Sequence, residues 1–218
     1  MRVLLVVAAC LVLAVLPATA RANGVTFRPG APGIGDPYFP LDGNGGYDVE
    51  HYDLNVLYDP DTDTLRGLEK IDITAKQDLS SFNLDLDGLT VRAVLIDGDA
   101  ARFSRADAEL TITPRRGIRR GDDFTALIAY DGVPKTIGSP EFGLSGFIHT
   151  DDGTLVAGQP DVAANWYPVN DHPLDKASYT FHITIPKGLV AMANGELKSK
   201  RTRNGRTTWN WEDRKSVV

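Results

Sequence analysis

From position 47 onward, apolar and polar residues alternate with a period of two. Tyr52, Leu54 and Val56 alternate with polar neighbours, then Ile71 and Ile73, then Phe82, Leu84 and Leu86. The pattern returns at Phe124, Ala126, Ile128 and Tyr130, and again at Tyr179, Phe181, Ile183 and Ile185. Successive side chains of a strand point to opposite faces, so each run predicts a half-buried strand. Pro186 closes the last run because proline cannot donate to a ladder. Asp87-Gly88, Asp97-Gly98, Asp131-Gly132, Asn194-Gly195 and Asn204-Gly205 supply pairs that tolerate positive φ and so favour tight turns. The last pair, between Leu197 and Trp209, is the clearest hairpin signal. No window of ten or more residues shows apolar spacing of three and four, so helix content is expected to be very low. The fold class that follows is all-β, an antiparallel sandwich of two sheets curved over one core.

The ends of the chain read differently. Arg2 precedes fourteen consecutive apolar residues, Val3 to Leu16, followed by Pro17 and the small-residue stretch Ala18-Thr19-Ala20-Arg21-Ala22. A membrane-crossing helix needs ~20 apolar residues, whereas fourteen reach only ~21 Å. Residues 1–22 are therefore expected to be a secretory signal peptide, cleaved after Ala20 or Ala22, leaving an exported chain with no membrane span. Cys10 lies inside this segment, so the mature chain has no disulfide and no thiolate chemistry. Residues 23–46, with Pro29, Pro32, Pro37, Pro40 and seven glycines, read as an extended lead-in to a domain spanning 47–218. Trp209 and Trp211 look like inward residues of a strand that should pair onward, yet the sequence stops at Val218, which suggests a fragment.

Composition narrows the function. With 42% hydrophobic and 24% charged residues the 218-residue chain is of ordinary globular type. Its 29 acidic against 23 basic residues, net charge −6, argue against nucleic acid as a partner, which would require clustered cations.

Four histidines, His51, His149, His172 and His182, lack the spacing of an H-E-x-x-H zinc helix. His51 and His182 read as solvent-facing strand residues. His172 lies in a turn, Asn170-Asp171-His172-Pro173, where Asp171 is placed to accept local backbone hydrogen bonds. Asp59, Asp61 and Asp63 form an acidic hairpin loop; an EF-hand would need Gly where Thr64 stands and Glu where Lys70 stands. No G-x-S-x-G elbow is present. One dense segment, residues 158–177, mixes amide, carboxylate, aromatic and proline residues. It reads either as a stiff loop aimed at a ligand or as a structural connection plugged by Trp166-Tyr167.

The run Gln159-Pro-Asp-x4-Trp166-Tyr-Pro-x-Asn170-Asp-His-Pro173-x-Asp175-Lys-Ala177-x-Tyr-x-Phe181, continuing to Ile185-Pro186 and Ala193-Asn194-Gly195, closely resembles the end of the N-terminal domain of the M1 family of zinc aminopeptidases, the aminopeptidase N group. Tyr52-Asp-Leu54 and Leu65-x-Gly67 agree with its earlier strands, so the resemblance covers roughly residues 36–218. It implies a saddle-like all-β domain that packs on a thermolysin-like catalytic domain. It also implies that Gln159 lines the pocket for the substrate's first side chain, and that Asp161, standing where the family carries Glu, helps hold the free α-amino group by a charge-assisted hydrogen bond. The zinc and its ligands would belong to sequence beyond these residues, the substrates would be peptide N-termini, and this chain alone would be inactive. Phe142, Phe147, Trp166 and Tyr167 are expected on the face turned to the catalytic domain. Ala191-Met192-Ala193-Asn194 superficially resembles the family's G-x-M-E-N loop but lacks its Gly and Glu, and is expected to be a strand and turn. The competing reading is a self-standing secreted β-sandwich that binds peptide or carbohydrate without catalysis.

Overall fold

Each alternating run in the sequence folds as a strand, because one apolar face per strand is what the core can take up. The computed structural model describes residues 25–139, 143–151, 153–158 and 162–216. Its strands are β1 (Arg28–Pro29), β2 (Tyr47–Asp59), β3 (Thr64–Ala75), β4 (Leu79–Asp85), β5 (Thr90–Ile96), β6 (Asp99–Ala100), β7 (Arg102–Ala106) and β8 (Glu109–Thr113). They continue with β9 (Asp123–Gly132), β10 (Thr136–Ser139), β11 (Gly143–Thr150), β12 (Gly153–Ala157), β13 (Ala177–Pro186), β14 (Glu196–Arg203) and β15 (Arg206–Ser216). A single turn of 3-10 helix, Ala163–Asn165, is the helical structure among the described residues. None of their helices is long and apolar enough to cross a membrane. The expected signal peptide, Cys10 included, lies outside the described residues.

Three sheets result. The largest has the order β14-β15-β13-β2-β3-β9-β5-β6; the others are β1-β4-β8-β7 and β10-β11-β12. Most pairs are antiparallel neighbours, but β13 lies parallel to β2, with Phe181 beside Leu54. A parallel pair needs a long crossover, and here the chain between β2 and β13 supplies it by building both smaller sheets. The inner face of the large sheet carries Tyr52, Leu54, Val56, Ile71, Ile73, Ile128 and Tyr179, all buried. The four-stranded sheet covers one part of it through Phe82, whose ring meets Tyr47 at 5.5 Å and Phe124 at 5.3 Å. The three-stranded sheet covers another through Phe147, edge-on to Tyr58 at 5.3 Å. Gly67 is needed where it stands: a Cβ there would come within 2.1 Å of the Tyr130 ring lying across it.

The Asn204-Gly205 hairpin forms between β14 and β15, with φ of 49° and 74°, the two left-handed residues of a type I′ turn. One expectation changes. The segment Ala191-Met192-Ala193-Asn194 forms no strand; it runs irregularly into the bend before β14, with Ala191 buried and Met192 exposed. Ala191 and Ala193 still turn to the core, but no strand pairs with this segment. The Pro- and Gly-rich lead-in is also tied down where it is described, since β1 pairs in parallel with β4 and Asn44 is buried.

Candidate functional site

The turn at residues 170–175 is the best-connected polar element in the described structure, and it explains how the dense segment is held. Asn170 Oδ1 accepts from the Asn44 amide at 2.5 Å, and its Nδ2 donates to Asp175 Oδ2 at 2.5 Å. The Asn170 amide donates to the Tyr52 hydroxyl oxygen at 3.0 Å, deep in the core. Asp85, on β4, accepts from Asn44 Nδ2 and from the Asp171 amide at 3.1 and 2.8 Å. Asp171 Oδ2 accepts from the Ala164 amide at 2.9 Å, which fixes the 3-10 turn, and Asp175 Oδ1 accepts from the Val49 amide. Asp171 thus accepts a backbone bond within its own loop, as the sequence suggested. Burial pushes the Asp85 carboxyl up to about 7 and that of Asp175 up to about 6, against hydrogen bonds that pull each back down. His172 accepts from the Leu174 amide at Nδ1, so its proton sits on Nε2, 3.5 Å from Asp36.

The 3-10 turn that Asp171 fixes borders, through Ala163, a groove of about 750 Å³. Tyr58, Val56, Tyr179, Phe181, Ile183 and Ile185 form its floor; β12 makes one wall and residues 189–193 the other. Its rim is apolar and open: Leu155 is 56% exposed, Val190 67% and Met192 80%. Gln159 and Asp161 lie outside the described residues, as does Phe142, but Gly158 and Val162, which bracket residues 159–161, both line the groove. Phe147 and Tyr167 are not surface residues, contrary to expectation. Phe147 packs under Tyr58, and Tyr167 is 1% exposed, edge-on to Tyr52 at 5.9 Å. Only Trp166 of that described group is half-open to the groove, stacked on Phe181. Within the dense segment, Tyr167 seals the core while Gly158 and Val162 line the groove.

The remaining candidates are occupied by structural partners. Asp59 and Asp63 bracket the acidic turn between β2 and β3, as expected, and Asp63 binds Tyr58 and His149. His51 and His182 sit on the outer face of the large sheet, half-buried, against Ser178 and Thr180 and against Asn210 and Asp53. Among the described residues no three of His, Cys, Asp or Glu converge on a point that a metal could occupy. These described residues do not fit a zinc centre, and the described lining of the groove is mostly apolar. Reading by sequence missed Asn44, Asp85 and Glu69. Glu69 was legible, since it is in phase with inward Leu65 and Ile71. Asp85 was not, because its partners Asn44, Val169 and Asp171 are all distant in sequence.

Comparison with known proteins follows the same outline. The peptidase M1 N-terminal domain family matches residues 48–217. Aminopeptidase N of Acetobacter pasteurianus is 28% identical over 157 residues, 66% of this chain and 42% of that protein. A crystal structure of an M1 zinc metallopeptidase from Deinococcus radiodurans superposes with a TM-score of 0.78 at 29% identity, covering 84% of this chain and 42% of that one. A mutant of a two-domain M1 zinc metallopeptidase, bound to L-tryptophan, gives 0.77 at 31% identity, covering 84% and 43%. The chain thus spans somewhat under half the length of these relatives.

Proposed function

Because this chain belongs to the peptidase M1 N-terminal domain family, we propose that it is the substrate-gripping half of an exported zinc aminopeptidase. The apolar rim of the groove packs on a metallopeptidase catalytic domain that carries the zinc. To Gln159 and Asp161 we assign the holding of the amino end of an incoming peptide. A free ammonium needs an acceptor, and a carboxylate supplies a charge-assisted hydrogen bond about twice as strong as a neutral one. The amide of Gln159 borders the first side chain. This half contributes binding and orientation and no reacting group.

The observation that carries this reading is that both residues flanking 159–161, Gly158 and Val162, line the groove. A loop meant to present polar side chains needs a rigid base, and the network on Asn170, Asp171 and Asp175 is such a base. The test is kinetic and uses the full-length protein. Asp161→Asn and Gln159→Ala are expected to raise KM for a peptide substrate by about tenfold, the scale of one charge-assisted contact, with a smaller effect on kcat. KM unchanged in both variants would overturn the assignment.

A further inference from the structure

The three-stranded sheet β10-β11-β12 forms one wall of the groove, and it is fastened to the body of the domain at one end by a histidine. His149, on β11, places Nδ1 at 2.8 Å from Asp63 Oδ1 and Nε2 at 3.2 Å from the Pro134 carbonyl oxygen. Asp63 belongs to the turn between β2 and β3, and Pro134 to the link between β9 and β10, so one imidazole ties three segments together. Both partners are acceptors. Asp63 is an ionised carboxylate, held below the usual range first by the Tyr58 hydroxyl that donates to it at 2.7 Å and then by His149. A carbonyl oxygen accepts and never donates.

A neutral imidazole has one N–H and one lone pair, so it can satisfy only one of these partners while its lone pair faces the other. The imidazolium satisfies both. We infer that His149 is a proton-operated clamp: protonated, it holds the β10-β11-β12 wall against the β2–β3 turn; deprotonated, it releases one anchor and loosens that wall of the groove. The groups facing it are Asp63, Tyr58 behind Asp63, Asp59 at the end of β2, which bears on Tyr58, the Pro134 carbonyl, and on its own strand the Phe147 ring at 5.4 Å. None of these is a cation, although Arg206 pairs with Asp59 at 3.5 Å. The comparison within the molecule is instructive. His172 accepts from the Leu174 amide at Nδ1 and so faces an acceptor only at Nε2. His182 also faces two acceptors, Asn210 and Asp53, but both lie on strands of its own sheet, so its charge fastens no separate element.

Any consequence for peptide binding rests on the function proposed above; the clamp itself is tested without substrate. Amide hydrogen exchange of β11 and β12 is measured at about pH 5.5 and about pH 8.5, on either side of the range in which histidines change charge. After correction for intrinsic rates, it is referred to the amides of β2 and β3. Protection of the wall is expected to fall by about fivefold relative to that reference at the higher pH, the scale of one lost hydrogen bond. In His149→Gln, whose donors all sit on one nitrogen while its oxygen can only accept and whose amide does not titrate, protection should be low at both values. A wild-type ratio independent of pH, or a dependence that survives in His149→Gln, overturns the inference. Nitrogen-15 spectra of the wild-type imidazole provide a second readout that needs no variant. Both nitrogens of His149 must carry protons at the lower pH, and one must be lost with the same midpoint as the exchange ratio; a neutral ring at about pH 5.5 equally overturns it.

Discussion

Glu69 occupies an inward position of β3, directly beside Leu54 on one neighbouring strand and Ile128 on the other, and it is fully buried. Neither carboxyl oxygen has a protein partner. An ionised carboxylate there would be prohibitively expensive, so burial drives its pKa well above the usual value and the group folds as the neutral acid. The sign for stability follows directly. A folded-state pKa above the unfolded one gives stability that is complete below about pH 4 and is lost as pH rises toward the folded value. Replacing Glu69 by Leu removes both the unpaired polar group and the titration. Glu69→Leu is expected to stabilise the domain by about 1–3 kcal/mol at neutral pH, and to flatten the decline on the alkaline side. Thermal unfolding across pH checks this; a variant less stable than wild type at pH 8 would show that the acid has an interior partner worth keeping.

At the scale of elements, the turn at 170–175 is stitched to β2 and β4 through carboxyls whose protonation responds to burial. Asp85, raised to about 7, and Asp175, raised to about 6, have the same sign as Glu69, so the attachment is fully stable near pH 4 and weakens as pH passes through those values. Asp85→Asn turns one of two accepting oxygens into a donor, leaving either the Asn44 amide group or the Asp171 backbone amide without its acceptor. It is expected to cost about 1–3 kcal/mol at pH 5 and to remove part of the slope between pH 4 and 7. Denaturant unfolding at several pH values decides it, and an undiminished slope would assign the titration elsewhere. How much of this element was readable follows from what holds it. The strands were legible because period two is imposed by one-sided burial, and the Asn204-Gly205 turn because two consecutive positive φ values select those residues. Asp171 as a backbone acceptor was legible because its role is local. The attachment of Asn170 to Asn44, 126 positions away, and the parallel seat of β13 beside β2 were not, because sequence spacing carries no record of which distant segments meet. The surface role expected for Phe147 and Tyr167 failed for a related reason: an aromatic in an irregular segment has no periodic neighbours to mark which way it points.

At the scale of the molecule, the large sheet is covered unevenly. Two small sheets shelter the middle of its inner face, while toward β13 and β15 the floor of the groove stays open and its rim exposes Leu155, Val190 and Met192. A contiguous apolar surface of this kind on one side of a domain marks a place where another surface belongs. The proposed occupant is the catalytic domain, and the rim gives a way to test the packing apart from the chemistry. Val190 and Met192 lie in the irregular segment before β14 and take no part in the ladder, so charging them should leave folding nearly untouched, within about 0.5 kcal/mol. In the isolated chain, Val190→Glu with Met192→Lys is therefore expected to keep the wild-type melting temperature while lowering the binding of an apolar dye. In the full-length protein the same pair should separate the unfolding transitions of the two domains, because an interface of buried apolar area couples them and a charge in it does not. A single unchanged transition in the full-length variant, alongside an unchanged isolated domain, would place the catalytic domain on some other face and leave the groove to a different occupant.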